Sequence, residues 1–331
     1  MTSAKSSKPF KTAIIQHPPV FLNLDASIEK ACQLIEEAAN NGAIVIAFPE
    51  TWLPGYPVWL DYAPKAALWD HIPAKILFRV LVENSLEIPG KQFETLLSIA
   101  KKTGVYIVIG VHELKGGTLY NTIVYIDRNG NDFKIHRKLV PTYTERLIWG
   151  RGDGSMLDVL QTEYGNIGSL VCWEHWMPLL RAAMHTQNEV LHVAQWPAVK
   201  PLHQIASQHY AFEGQCFVLA AGCILTRGNV IEGYQSLPNA DPQGLELLES
   251  IPGDNSDLLL NGGSAAIAPN SEFIVEPLFD KPGIVYSEIN LDLITEGRLV
   301  MDTDGHYSRP DIFKLKVNTD AQFNVDFSES K

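Results

Sequence analysis

The chain has 331 residues, 46% of them hydrophobic and 19% charged, which is enough apolar material for one large α/β domain or two small ones. Its net charge of −12 has no offsetting basic patch, which argues against nucleic acid or an anionic membrane as the main partner. Four scattered cysteines, none in a C-x-x-C pair, exclude a disulfide framework and point to a reducing cytoplasmic compartment.

The N-terminal stretch Met1–Lys8 is polar and lacks the apolar segment of a signal peptide. The longest apolar run, Cys216–Leu225, is too short to cross a bilayer.

The first strand is expected over Thr12–Gln16. A helix follows, with Ile28, Ala31, Leu34, Ile35 and Ala38 at three- and four-residue spacing and a stop at Asn40-Asn41-Gly42. Ala43–Phe48 is a continuous apolar run, the pattern of a strand buried on both faces, and it ends at Pro49-Glu50. Residues 51–75 are rich in aromatics and proline and are expected to form a long functional loop. A helix over Phe93–Lys102 precedes strands Val105–Val111 and Asn121–Asp127. Asn129-Gly130 then turns the chain into the strand Phe133–Lys138.

Residues 139–156 form a polar loop. Its Gly150-Arg151-Gly152-Asp153-Gly154 lacks the ending of a phosphate loop. Strands Met156–Gln161 and Asn166–Cys172 follow, joined at Tyr164-Gly165. The second half echoes the first: a helix after Pro178, a strand Val190–Ala194, a helix Leu202–Glu213 and a strand Phe217–Gly222. A Gly/Pro/Asp-rich segment, 227–263, is expected as loop before strands Ser264–Ala268, Glu272–Glu276 and Ile284–Asn290. Residues beyond Asp302 are expected as a peripheral tail. The pattern predicts a layered α/β fold with two related halves and no linker between them.

Three strand ends carry a reactive residue: Glu50, Lys138 and Cys172. Strand ends that converge at one sheet edge could bring them into a single pocket. There a buried carboxylate can take the thiol proton, a lysine can stabilise a tetrahedral intermediate, and the thiolate can attack an electrophilic carbon. Taken singly, each has an ordinary alternative as a solvated loop residue, an exposed basic turn or packing. Cys32, Cys216 and Cys223 read as packing cysteines. His203 and His209 are not at metal-ligand spacing and no H-E-x-x-H occurs, so no metal site is expected.

Three long motifs decide between the readings. They are Phe48-Pro49-Glu50-Thr51-Trp52-Leu53-Pro54-Gly55-Tyr56-Pro57, the run from His136 to Gly154 through Lys138, Thr142 and Glu145, and Val171-Cys172-Trp173-Glu174-His175-Trp176-Met177-Pro178-Leu179. In order and separation they resemble the nitrilase branch of the carbon–nitrogen hydrolase superfamily. The resemblance implies a four-layer α-β-β-α sandwich, here a polar extension over 1–10, one domain over 11–300, and a tail over 301–331 at an oligomer interface. It implies a Glu50–Lys138–Cys172 triad supported by Glu145, with the Trp173 backbone N–H as oxyanion donor.

It further implies hydrolysis of a nitrile by water to acid and ammonia through a thioimidate and a thioester, without cofactor or metal, in a homodimer that extends into spiral oligomers. A nitrile or cyanide hydratase, an amidase of the superfamily, or a non-catalytic assembly protein are the alternatives. Glu174 is expected to brace the turn through backbone or an arginine, and His175 to be a structural hydrogen-bonded residue. Trp52, Tyr56, Trp59, Thr142 and Trp196 are expected to wall the pocket, which favours an aryl or arylalkyl nitrile. His192 and the segment 227–261 are placed near it.

Overall fold

The structure is a computed structural model that describes residues 8–323 and residue 325. Residues 1–7 of the expected extension and residues 324 and 326–331 of the expected tail lie outside the described residues. Alternation along the strands decides the layering. In β1 (Phe10–Gln16), Ile14 joins one buried cluster while Ala13 and Ile15 join another. In β2 (Ala43–Ala47), Val45 and Ala47 go to the first of these and Ile46 to the second. The strand β3 (Tyr106–Lys115) divides Tyr106 and Val108 from Ile107, Ile109 and Val111 in the same way. A strand apolar on both faces must be covered on both, and this sheet has helices on one side and a second sheet on the other.

The first sheet continues through β4 (Thr118–Ile126) and β5 (Phe133–Arg137). Strands β1, β2 and β3 are parallel, and β4 and β5 add antiparallel. The second sheet contains β6 (Leu160–Thr162), β7 (Gly165–Val171), β8 (Glu189–Gln195), β9 (Phe217–Ala221), β10 (Ile224–Thr226), β11 (Leu258–Ile267) and β12 (Phe273–Phe279). Its core is again a parallel triple, β7-β8-β9, with antiparallel neighbours. The last strand, β13 (Gly283–Ile289), returns to pair antiparallel with β1. Each half thus has the same parallel centre, as the sequence pattern predicts.

On the outer face of the first sheet lie α1 (Leu24–Asn40), the short α2 (Trp59–Tyr62), α3 (Ile72–Glu83) and α4 (Lys91–Thr103). Asn23 caps α1 by accepting from the Ala26 N–H, and α1 packs along α4. On the outer face of the second sheet lie α5 (Pro178–His185) and α6 (Pro201–Gly214), whose Met184, Ala206 and Tyr210 are buried in one cluster with its strands. This is the α-β-β-α sandwich.

Three expectations need correction. The loop expected over 51–75 contains α2 and the start of α3. Helix α3 escapes the pattern because its apolar residues go round it: Leu77, Val80 and Leu81 are buried while Ile72 and Phe78 are exposed. The segment 227–263, expected as loop, holds α7 (Arg227–Gln235) and α8 (Pro242–Glu249). Its polar residues are caps: Thr226 Oγ1 accepts from the Asn229 N–H, and Asp241 accepts from the Gln243 N–H before Pro242. A last short helix, α9 (Asp292–Gly297), was also not expected. The described tail from 301 to 323 has no helix or strand, and its Gln322 N–H donates to Asp153.

Candidate active site

Glu50 stands just past β2. Beyond Ala47 the chain stays hydrogen-bonded to β3, through Phe48 N–H to Val108 O (2.8 Å) and Leu53 N–H to Gly110 O (3.1 Å). Between those bonds it bulges, with Thr51 at φ +43°. Gly110 permits the close approach: a Cβ there would lie 2.4 Å from both the Pro49 carbonyl oxygen and the Thr51 nitrogen. The bulge turns the Glu50 carboxylate into the interior.

Lys138 follows β5, its backbone N–H bonded to Asn121 O in β4 (2.8 Å). Its buried Nζ lies 2.9 Å from Glu50 Oε1 and 2.6 Å from Glu145 Oε2. Glu145 sits in a 3₁₀ turn over Tyr143–Leu147. It also accepts from the Thr142 N–H (2.6 Å) and from the Tyr56 hydroxyl (3.0 Å). Asn121 Nδ2 donates to Glu50 Oε1 (2.7 Å), while Glu50 Oε2 is buried with no hydrogen-bond partner among the described residues.

Cys172 ends β7 and opens a 3₁₀ turn, Cys172–Trp176, with a left-handed φ of +53°. For a side chain with a Cβ this costs about 1–2 kcal/mol, so its surroundings must hold it there. The Trp173 backbone N–H, next in the chain, favours the charged form of the Cys172 sulfur. Atoms of Glu50, Glu145 and Cys172 lie within 4.8 Å of one another. Such a trio could draw a cation, and Lys138 already supplies one that contacts both carboxylates.

The expectation of one sheet edge is therefore corrected. Glu50 and Lys138 ride the first sheet and Cys172 the second, so the site spans the gap between them. Glu174 fastens the two sides. Its carboxylate accepts from the Val171 N–H at the end of β7 and the Leu139 N–H beside Lys138, both at 2.8 Å, and contacts His136 Nε2 at 2.9 Å. It pairs with backbone, as expected, but with a histidine in place of an arginine.

Burial sets the charges. It pushes Glu50 up to about 7, helped by Glu145 and opposed by Lys138. Burial works against the Lys138 ammonium, yet the surrounding Glu50, Cys172 and Glu145 hold it well above the usual range. Burial and then Glu50 push the Cys172 thiol well above its ordinary value, with Lys138 opposing. At neutral pH the arrangement is a fixed ammonium, a thiol that needs a base, and a carboxyl poised to exchange a proton.

A cavity of about 190 Å³ opens onto Cys172 and Glu145. Tyr56 and Thr142 line it as expected, together with Tyr62, Tyr143, Trp173 and Leu260. Trp52, Trp59 and Trp196 do not. Trp52 is buried against Phe48 with its Nε1–H on His17 O (2.7 Å), and Trp59 packs edge-on to Phe21. Trp196 is stacked between His175 and His203, ring centroids 4.8 and 4.4 Å away. These indoles fill space between the motif loops and the sheets, where burying apolar area outweighs lining a wet cavity.

His175 is buried and bonded to the Cys172 carbonyl, while His192 lies beneath it and away from the cavity. Asn121, His136 and the cavity residues Lys200 and His203 were not expected. Asn121 left one trace, an amide beside Thr122 at the head of the apolar run Ile123–Ile126.

Residues 11–299 match the family model described as carbon-nitrogen hydrolase. A nitrilase of Bacillus sp. (strain OxB-1) is 39% identical over 324 residues, covering 93% of this chain and 88% of that protein. An aliphatic nitrilase of Rhodococcus rhodochrous is 38% identical, covering 93% and 79%. A solved structure from Saccharomyces cerevisiae, of a branch 10 member of the nitrilase superfamily, superimposes with a TM-score of 0.65 at 16% identity, over 92% of this chain and 99% of that one. With that match over nearly its whole length, the chain belongs to the carbon–nitrogen hydrolase family.

Proposed function

We propose that this chain is a nitrilase: it hydrolyses an organic nitrile to a carboxylic acid and ammonia through a covalent intermediate on Cys172. One observation carries the reading. A buried ammonium contacts two buried carboxylates beside a thiol at a strained strand end. That set matches what attack on a carbon–nitrogen triple bond requires.

Glu50 takes the thiol proton, and Cys172 Sγ adds to the nitrile carbon. The proton passes to nitrogen and a thioimidate forms. Water adds across it, ammonia leaves, and a thioester remains; a second water releases the acid. A carboxyl near 7 can take and return these protons at neutral pH. Lys138 keeps its proton and stabilises the tetrahedral species by charge, held in place by Glu145. The Trp173 N–H, directly after Cys172, is the backbone donor assigned to the developing charge. The tyrosines and Trp173 around the cavity support an aryl or arylalkyl substrate.

The working unit proposed is one domain over 11–300 in a cytoplasmic homodimer that extends into spirals, with the tail at a contact between copies. Among the described residues no helix is long and apolar enough to cross a membrane.

The test is a panel of aryl, arylalkyl and aliphatic nitriles scored together for acid, amide and ammonia. Equimolar acid and ammonia, abolished in Cys172→Ala, is the expected result. Amide as the dominant product would overturn it in favour of a hydratase. Truncation after residue 300, followed by size-exclusion chromatography, tests the role of the tail.

A further inference from the structure

Beneath Cys172 lies a second buried polar network, on the opposite side of the elbow from Lys138. It begins at the Cys172 carbonyl, 2.7 Å from His175 Nδ1. His175 Nε2 faces His192 Nε2 at 3.1 Å, and His192 Nδ1 lies 2.7 Å from Glu189 Oε1. The other Glu189 oxygen accepts from the Tyr210 hydroxyl at 2.6 Å. All these residues are buried. Further out, His185 approaches Glu189 at 4.0 Å, and Arg181 donates to the His175 carbonyl and pairs with Glu213.

Counting hydrogens along this chain leaves little freedom. A carbonyl oxygen only accepts, so His175 Nδ1 carries the hydrogen. Burial, with His192 and Arg181 nearby, pushes His175 well below the usual histidine range, so the ring is neutral and its Nε2 is bare. The atom facing that lone pair must donate, so His192 carries a hydrogen on Nε2. Between His192 Nδ1 and Glu189 Oε1 there is then one more proton. Burial alone would raise the Glu189 carboxyl, but His192, His185 and the Tyr210 bond bring it below the usual range. Whether that proton rides on Glu189 or on His192, His192 Nε2–H is unchanged. Either way His192 supplies the donor that matches the Nδ1–H tautomer of His175 set at the Cys172 carbonyl, and so stabilises that tautomer from its other side.

The backbone is shaped to admit this pair. Gly168 in β7 lies against the Glu189 side chain, and a Cβ there would fall 1.5 Å from Glu189 Oε1. The strand thus gives up a side chain to let a carboxylate run across it.

We propose that Glu189 and His192 are positioning residues for the nucleophile: through one enforced tautomer of His175 they clamp the Cys172 carbonyl and hold the left-handed elbow that aims the thiol at Lys138 and Glu50. This rests on Cys172 being the nucleophile. Without the pair, His175 can move its hydrogen to Nε2. Its Nδ1 lone pair then faces the Cys172 carbonyl oxygen, and the clamp becomes a repulsion.

Two measurements test this. Nitrogen-15 histidine NMR of the folded, full-length protein should show Nδ1–H on His175 and Nε2–H on His192. A bare Nε2 on His192, or Nε2–H on His175, overturns the proposal without any variant. The second is a variant series read as kcat, KM and the rate at which iodoacetamide alkylates Cys172. His192→Phe and Glu189→Met are expected to lower kcat and alkylation on the order of 10–100-fold with KM within about twofold, the scale of a misaimed reacting group. Glu189→Gln is expected to recover most of that loss, because a flipped amide donates to His192 Nδ1 and accepts from Tyr210.

A role in packing or charge balance alone predicts the reverse: tolerance of the isosteric phenylalanine, and harm from Glu189→Gln. That pattern would sink the proposal. Alkylation needs no nitrile, so a protein that follows this pattern but hydrolyses no nitrile refutes the proposed activity and leaves the positioning role standing.

Discussion

Replacing Glu174 by glutamine separates bracing from catalysis, because Glu174 is 2.8 Å from two backbone N–H groups that belong to different sheets. Glutamine keeps the volume but can accept at only one end. Its amide then presents an N–H to either Val171 or Leu139, and one buried backbone donor is left unpaired at a cost of about 1–3 kcal/mol. The remaining bonds, including that to His136, lose their charge assistance, roughly another 1–2 kcal/mol. The sum, about 2–5 kcal/mol, corresponds to a fall in Tm of roughly 3–7 °C for a chain of this size.

Activity should fall further than stability suggests, on the order of tenfold or more, because the strand end bearing Cys172 and the loop bearing Lys138 lose their common tie. The assay is thermal unfolding followed by circular dichroism, paired with kcat on the preferred nitrile. Glu174 is held below its ordinary value of 4.5 by His136 and the two backbone bonds, against the opposing pull of burial. Its folded-state value is therefore lower than its unfolded one. The stability it contributes is present above about pH 4.5 and is lost as pH falls through the folded value. The gap in Tm between the two proteins should narrow in acid. A variant within about 2 °C of the parent, with unchanged kcat, would refute the bracing role.

The acid limb of kcat/KM should lie near 7, set by Glu50. Glu145→Gln removes a negative neighbour that raises Glu50, and should move that limb to lower pH while lowering kcat. Asn121→Leu removes a hydrogen bond that favours the Glu50 carboxylate, and should move the limb to higher pH; limbs that stay put in both variants would remove Glu50 as the titrating group. Gly110→Ala forces the Pro49–Thr51 bulge away from β3 and should cost activity on the order of 100-fold while the far-UV spectrum is kept. Wild-type kinetics there would mean that the bulge does not aim Glu50.

The reactive residues were legible because each sits at a strand end, Glu50 and Cys172 after buried apolar runs and Lys138 after the mixed strand Phe133–Arg137. Which sheet each strand joins was not legible, since a continuous apolar run records that both faces are covered and not by what. Helices α7 and α8 hid in the Gly/Pro/Asp-rich segment 227–263, where the cap Asp241 and the Pro242 after it read as loop residues. The tryptophans misled for a related reason: Trp52 and Trp59 lie in or beside the first motif and Trp196 directly after β8, and large side chains beside a site serve as its foundations more readily than as its walls. Glu189 gave no signal and His192 read only as a residue near the pocket, because their partner His175 is joined to them by a tautomer that no spacing encodes.

The division of the site between two sheets has a consequence for how this protein can be taken apart. A chain opened in the loop between Trp149 and Leu160 would yield one fragment with both carboxylates and the ammonium, and another with the thiol. The second fragment also carries β13, which completes the edge of the first fragment's sheet. Neither piece could do chemistry alone, and mixing them would restore turnover only as fast as they dock. Activity would then report reassembly directly, so the enzyme could serve as its own gauge of whether two halves of a sandwich recognise each other.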